Sequence, residues 1–192
     1  MEKFTTVNGT AFRYLDAGIG KDTILLLHGY MESLDIWEEL VSDLGREFRC
    51  VALDLPGHGV SDVKGEVHTM EFLAETVSGL LEQIGVDRCV VVGHSMGGYV
   101  ALALADLHPE QLAGLVLFHS RPVSDSPEKR GNREREIEIV RSGRKEALSV
   151  ALPGKGFAAA NRDRFREQIE DLALQVMLTE DEGIVALLNG MK

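Results

Sequence analysis

Four short apolar runs constrain this chain most: Thr23 to Leu27, Val51 to Leu53, Cys89 to Val92 and Leu115 to Phe118. None alternates polar with apolar residues, so each suits a strand buried on both faces, as in a parallel sheet. Helical spacing fills the intervals. Ser33 can cap a segment in which Ile36, Trp37, Leu40, Val41 and Leu44 share one face. Thr69 opens a second, through Phe72, Leu73, Thr76, Val77, Leu80, Leu81 and Ile84, which Gly85 stops. An alanine-rich third runs from about Met96 to Leu107, and Pro109 ends it. Strand and helix in that rhythm mean right-handed βαβ units, and the fold class is α/β. Ahead of them, Thr5-Thr6-Val7 and Thr10 to Tyr14 flank Asn8-Gly9, which predicts an antiparallel hairpin with a type I′ turn.

The pattern changes after Arg121. Ser124 to Lys145 mixes both charge signs around Ile137, Ile139 and Val140, and further helices are expected at Arg164 to Leu178 and Glu180 to Leu188. Thr179 and Glu182 have the spacing of a capping box for the last of these. The chain therefore divides into an α/β part, residues 1–120, and a helical part, residues 121–192.

Composition removes several function classes. The 192 residues carry a formal net charge of −11, which repels phosphate backbones and anionic lipid, so nucleic acid and membrane are not expected partners. Cys50 and Cys89 head apolar runs and read as buried thiols of a reducing compartment. With no apolar run near the ~20 residues of a membrane span and no signal-peptide core, the expected location is cytoplasmic. Gly18-Ile19-Gly20-Lys21 precedes a strand and lacks a third glycine, so it is neither a dinucleotide fingerprint nor a P-loop. The basic residues from Lys129 to Lys145 alternate with glutamates and read as a solvated helix face.

The segment that carries chemistry is Gly93-His94-Ser95-Met96-Gly97-Gly98. It holds G-x-S-x-G between a buried strand and a helix, where Ser95 would occupy a sharp turn and lift its hydroxyl above the sheet. A Cβ at Gly93 or Gly97 would crowd that turn. Here the chain resembles the α/β-hydrolase superfamily, from the N-terminal hairpin to the last residue. His28-Gly29-Tyr30 matches the loop that supplies one oxyanion-hole amide, and Asp54-Leu55-Pro56-Gly57-His58-Gly59 with Ser61 matches a turn-rich loop that reads as structural.

The resemblance implies a serine hydrolase with an inserted helical cap over the pocket. Ser95 would be the nucleophile, and the backbone N–H groups of Tyr30 and Met96 would hold the oxyanion. Epoxide hydrolases and haloalkane dehalogenases of this fold place a carboxylate where Ser95 stands, so an acyl-enzyme route on a small ester or related carbonyl substrate is expected. No cofactor is implied. The alternative is a binding or interaction module on the same fold, without turnover.

A serine needs a base, and the base an orienting acid. In the family both follow the cap, whereas this sequence closes on Leu187-Leu188-Asn189-Gly190-Met191-Lys192. The expectation is the front portion of a hydrolase, with the C-terminal core strands and the remaining triad absent. That would leave Leu115 to Phe118 as an open sheet edge, paired by a C-terminal fragment or a second copy. Among the histidines, His119 beside the Ser95 strand is expected on the pocket rim, as is His28. His94 reads as a packing residue, while His68 and His108 read as solvated. No pair among His28, His58, His94, His119 and Asp54 has metal-ligand spacing, and no metal is expected.

Overall fold

The computed structural model describes residues 2–192. A six-stranded sheet runs through it in the order β1-β2-β4-β3-β5-β6. The strands are β1 (Glu2–Val7), β2 (Thr10–Ala17), β3 (Thr23–Leu27), β4 (Arg49–Leu53), β5 (Cys89–His94) and β6 (Leu112–Phe118). β1 and β2 form the expected antiparallel hairpin, with Asn8 and Gly9 at φ 51° and 76° as a type I′ turn requires. β2 joins β4 antiparallel, and β3, β4, β5 and β6 are mutually parallel.

The continuous apolar runs have a simple cause. Leu25, Leu27, Val51, Leu53 and Val91 point to one face, where they meet α2 (Met70–Gln83) and α3 (Met96–Leu107). Leu26, Cys50 and Ala52 point to the other, against Leu34, Trp37 and Val41. Those three come from a 3-10 turn, Leu34–Trp37, and α1 (Glu38–Leu44). Ser33 caps that turn, not α1 itself, and Thr69 caps α2 by accepting the Phe72 N–H. Both cysteines are buried and free. β6 is the open sheet edge expected of Leu115 to Phe118, and it is not buried on both faces as its apolar run alone suggests. As an edge strand it leaves Leu115, Val116 and Phe118 exposed by 38%, 45% and 46%.

The described residues after Arg121 form no strand but four helices, α4 (Pro127–Arg141), α5 (Glu146–Ala151), α6 (Arg166–Leu178) and α7 (Asp181–Gly190), with 3-10 turns at Pro153–Gly156 and Ala159–Asn161. They share the main core, because Ile137, Val140, Ile184, Leu187 and Leu188 belong to the same buried cluster as Leu73 and Leu80. The helices pair as α4 with α7 and α5 with α6. Two expectations fail here. Thr179 does not cap α7: its Oγ1 donates back to Gln175 O at 2.9 Å and closes α6, and Glu180 takes the cap position without a side-chain bond. Arg133, on the helix read as solvated, is buried and paired with Asp125.

α7 is seated on the loop after β4. His68 N–H donates to Ala186 O at 2.9 Å, and Gly183 packs backbone-to-backbone on Gly57, where an added Cβ would lie 2.6 Å from the Gly57 carbonyl oxygen. Among the described residues no helix is long and apolar enough to cross a membrane.

Candidate active site

Only Ser95 separates β5 from α3, and its backbone carries the whole change of direction at φ 50°, ψ −111°. A non-glycine residue there costs roughly 1–3 kcal/mol, which its surroundings must offset. Three hydrogen bonds do so. Ser95 N–H donates to Phe118 O at 3.0 Å, Gly98 N–H donates to Ser95 O at 3.1 Å, and Ser120 Oγ donates to the same carbonyl at 2.7 Å. An added Cβ at Gly93 would strike the Gly97 carbonyl, and one at Gly97 the Leu27 and His28 carbonyls. The elbow and the loop after β3 are thus in backbone contact. Ser95 is partly exposed, and its hydroxyl does not cap the helix.

The loop after β3 is held by side chains. Leu55 N–H donates to His28 Nε2 at 3.0 Å, so the proton sits on Nδ1, which donates to Gly29 O at 2.7 Å. Met31, at φ 60°, donates its N–H to His58 Nε2 at 3.1 Å. Gly29 N–H donates to Glu32 Oε2 at 2.6 Å. Among the described residues, the amide N–H of Tyr30, between those two engaged donors, bonds to no other group. Met96 N–H, first in α3, is likewise unengaged. Free donors at a helix start and in an adjoining loop can accept a developing negative charge.

Several histidines lie elsewhere than expected. His28 is fully buried and therefore not on a rim; its two ring bonds to backbone draw it inside. His68 is buried rather than solvated, accepting Lys64 N–H at Nε2 (3.0 Å) and donating to Pro56 O (3.1 Å). His108 is half-buried beside Glu75 at 3.2 Å. His94 does more than pack: its Nδ1 lies 2.8 Å from Glu32 Oε2, with its ring edge-on to Trp37. His119 is exposed at the end of β6, its ring 4.7 Å from that of Phe118.

Burial pushes His28, His58 and His68 below the ordinary histidine range, and His28 adds to the effect on His58. Tyr30 is held well above its usual range by burial and then by Glu136, so its phenol stays protonated.

Asp54 is fully buried and receives Arg13 Nε at 2.8 Å, Leu34 N–H at 2.9 Å and Val60 N–H at 3.1 Å. Gly59, at φ 54°, leaves the space this carboxylate fills. Asp54 therefore ties β2 and the loop after β3 to its own loop, as the structural reading of its segment implies. A cavity of about 100 Å³ lies between the β3 loop and the later helices, lined by Tyr30, Met31, Glu32, Leu152, Leu172 and Val176 among others. Sequence reasoning missed Glu32, because an acidic residue three positions after a loop glycine carries no pattern of its own.

The profile of the alpha/beta hydrolase fold matches residues 22–135. The chain belongs to the α/β-hydrolase fold family. It is 35% identical over 115 residues to epoxide hydrolase 4 of Mus musculus, covering 58% of this chain and 32% of that protein. Over 106 residues it is 39% identical to pimeloyl-[acyl-carrier protein] methyl ester esterase of Aeromonas hydrophila, covering 55% and 40%. The aligned part thus spans well under half the length of these curated relatives. Among solved structures, a thermophilic esterase from Thermogutta terrifontis superposes with a TM-score of 0.90 at 31% identity, over 100% of this chain and 72% of its own. The enol-lactonase from Burkholderia xenovorans LB400 does so at 0.91 and 26%, over 98% and 73%. The relatives named here are hydrolases, and this α/β-hydrolase chain shares their fold.

Proposed function

We propose that this chain is the nucleophile-bearing part of a serine hydrolase acting on a small ester or related carbonyl substrate. The observation that carries the reading is Ser95 at φ 50°, ψ −111°, beside two unengaged amide donors at Tyr30 and Met96. As the base takes its proton, Ser95 Oγ bonds to the substrate carbonyl carbon, the π electrons move to oxygen, and the two N–H groups receive that oxyanion. Each such donor is worth about 3 kcal/mol in the transition state. Collapse expels the leaving group, to which the base passes the proton. Water then attacks the acyl-serine, releasing the acid and restoring the hydroxyl.

A serine at the elbow supports acyl transfer over the epoxide chemistry named for one relative. The esterase and enol-lactonase among the relatives are consistent with that choice. Residues 121–192 serve in this reading as a cap, and the cavity of about 100 Å³ against Tyr30 is where a small acyl group would fit.

Five of the six histidines are already engaged within the fold. His28, His58 and His68 are neutral and occupied by backbone donors, His94 faces Glu32, and His108 faces Glu75. His119 is exposed at the end of β6, and among the described residues no carboxylate bonds to it as an orienting acid. We therefore place the base and its acid on a C-terminal segment or a second copy, seated along the exposed edge of β6.

A fluorophosphonate probe tests this, since its phosphorus bonds to a competent serine oxygen as fluoride leaves. The expected result is labelling lost in Ser95→Ala. Labelling of these residues alone assigns the base to them or to a second copy, and labelling only with an added C-terminal segment assigns it there. No labelling under either condition overturns the proposal in favour of a binding module.

A further inference from the structure

We infer that Glu32 is a positioning residue for the Ser95 chemistry, its carboxylate fixing the donor loop to the elbow. This inference rests on the serine reading above. A single oxygen, Glu32 Oε2, lies 2.6 Å from Gly29 N and 2.8 Å from His94 Nδ1. Gly29 immediately precedes Tyr30, whose N–H is one proposed oxyanion donor. His94 immediately precedes Ser95. One atom therefore links the two residues that immediately precede those carrying the reacting groups.

The packing around that oxygen leaves little slack. A Cβ on Gly29 would lie 2.7 Å from Glu32 Oε2 and 3.0 Å from His94 Nδ1. His94 is held in turn by the rings of Trp37 and Phe118, at 6.5 and 5.7 Å between centroids. The Glu32 side chain is 19% exposed, so its hydrogen bonds compete with little water. Hydrogen bonds to an ionised carboxylate are shorter and roughly twice as strong as neutral ones. The loop they hold contains Met31 at φ 60°, a conformation that does not persist without such constraint. With Gly29 N–H taken by Glu32 and Met31 N–H by His58, only the Tyr30 N–H between them is left to face a ligand. Glu32 thus selects which donor of the loop is free and where it sits relative to Ser95.

The test uses the protein in the form that the fluorophosphonate labels, with Glu32→Gln and Glu32→Ala beside wild type and Ser95→Ala. Two readings are taken: the labelling rate at saturation with the probe concentration giving half that rate, and the backbone amide spectrum. In Glu32→Ala the saturating rate should fall on the order of 100-fold, the loss that misplacement of a reacting group by about 1 Å can cause. The half-saturating concentration should stay within about twofold, since ground-state binding does not use the oxyanion donors. Glu32→Gln keeps an acceptor but not the charge and should lose less, on the order of tenfold; it also serves if Glu32→Ala does not fold. The Gly29 amide proton should move upfield in both, fully in Glu32→Ala and in part in Glu32→Gln. Ser95 labelled at the wild-type rate in both variants, or a Gly29 resonance that does not move, overturns the inference. Wild type without any labelling overturns the serine reading instead, with a serine hydrolase of known activity labelled in parallel to show that the probe is intact.

Discussion

At position 95 an L-residue sits in backbone space that it enters only under constraint, and the glycines around it show what the constraint is. Gly97→Ala should lower stability by about 2–4 kcal/mol in urea denaturation, because its Cβ meets backbone carbonyls that cannot turn aside. Gly156→Ala, with open space around it and an ordinary φ, should stay within about 0.5 kcal/mol.

The buried imidazoles respond to pH in a defined direction. His28, His58 and His68 each accept a backbone N–H at Nε2, so none takes a proton without setting N–H against N–H. Asp54, Glu32 and His94 face His28, the first two favouring its charged form, and His28 and His68 face His58; burial outweighs these and keeps the folded values below the ordinary 6.5. The unfolded chain therefore binds protons that the folded chain refuses. Stability should be full above about pH 6.5 and fall as the pH drops below it, read as a declining urea midpoint between pH 7 and 5. His58→Gln should flatten that slope. The sharp turn at Ser95 was legible because its motif is local. Glu32 and the burial of His68 were not, since hydrogen bonds from distant backbone decide them and the residue types alone suggest a surface.

At the scale of elements, strands and helices of the α/β part follow the apolar spacing closely, and α3 lies where Met96 to Leu107 predicts it. The capping box at Thr179 failed for a physical reason: a hydroxyl between two helices can close the first or open the second, and the last turn of α6 reaches it. The apolar run of β6 suggests burial on both faces, because an apolar strand looks the same whether its neighbour lies in the same chain or another; its place at the open edge comes from the resemblance. If that edge is covered as proposed, its outward amides should exchange slowly with solvent, and a charge at its centre, Val116→Lys, should weaken association in sedimentation. A monodisperse monomer with fast exchange along Leu115 to Phe118 would remove the partner proposal.

In the molecule as a whole, long-range ties matter more than any one element. Arg13 on β2 reaches Asp54 beyond β4 and Asp35 at the 3-10 turn; burial works against its charge, yet those hydrogen bonds hold it above its ordinary range. Arg13→Met should cost about 3–5 kcal/mol, the penalty of stranding a buried carboxylate, measured by urea denaturation against Asp54→Asn/Arg13→Met, in which the loss should be smaller. Nothing in the spacing of Arg13 and Asp54 announces that pair.

The glycine-on-glycine seat of α7 has a mechanical consequence. With Gly183 pressed on Gly57 and Ala186 bonded to His68, the α4–α7 pair is bolted to the sheet side of the molecule. The region beyond Arg121 is therefore not one hinged flap. If its helices cap Ser95 as proposed, any widening of the way in should fall to the other pair, α5 and α6, against a fixed frame.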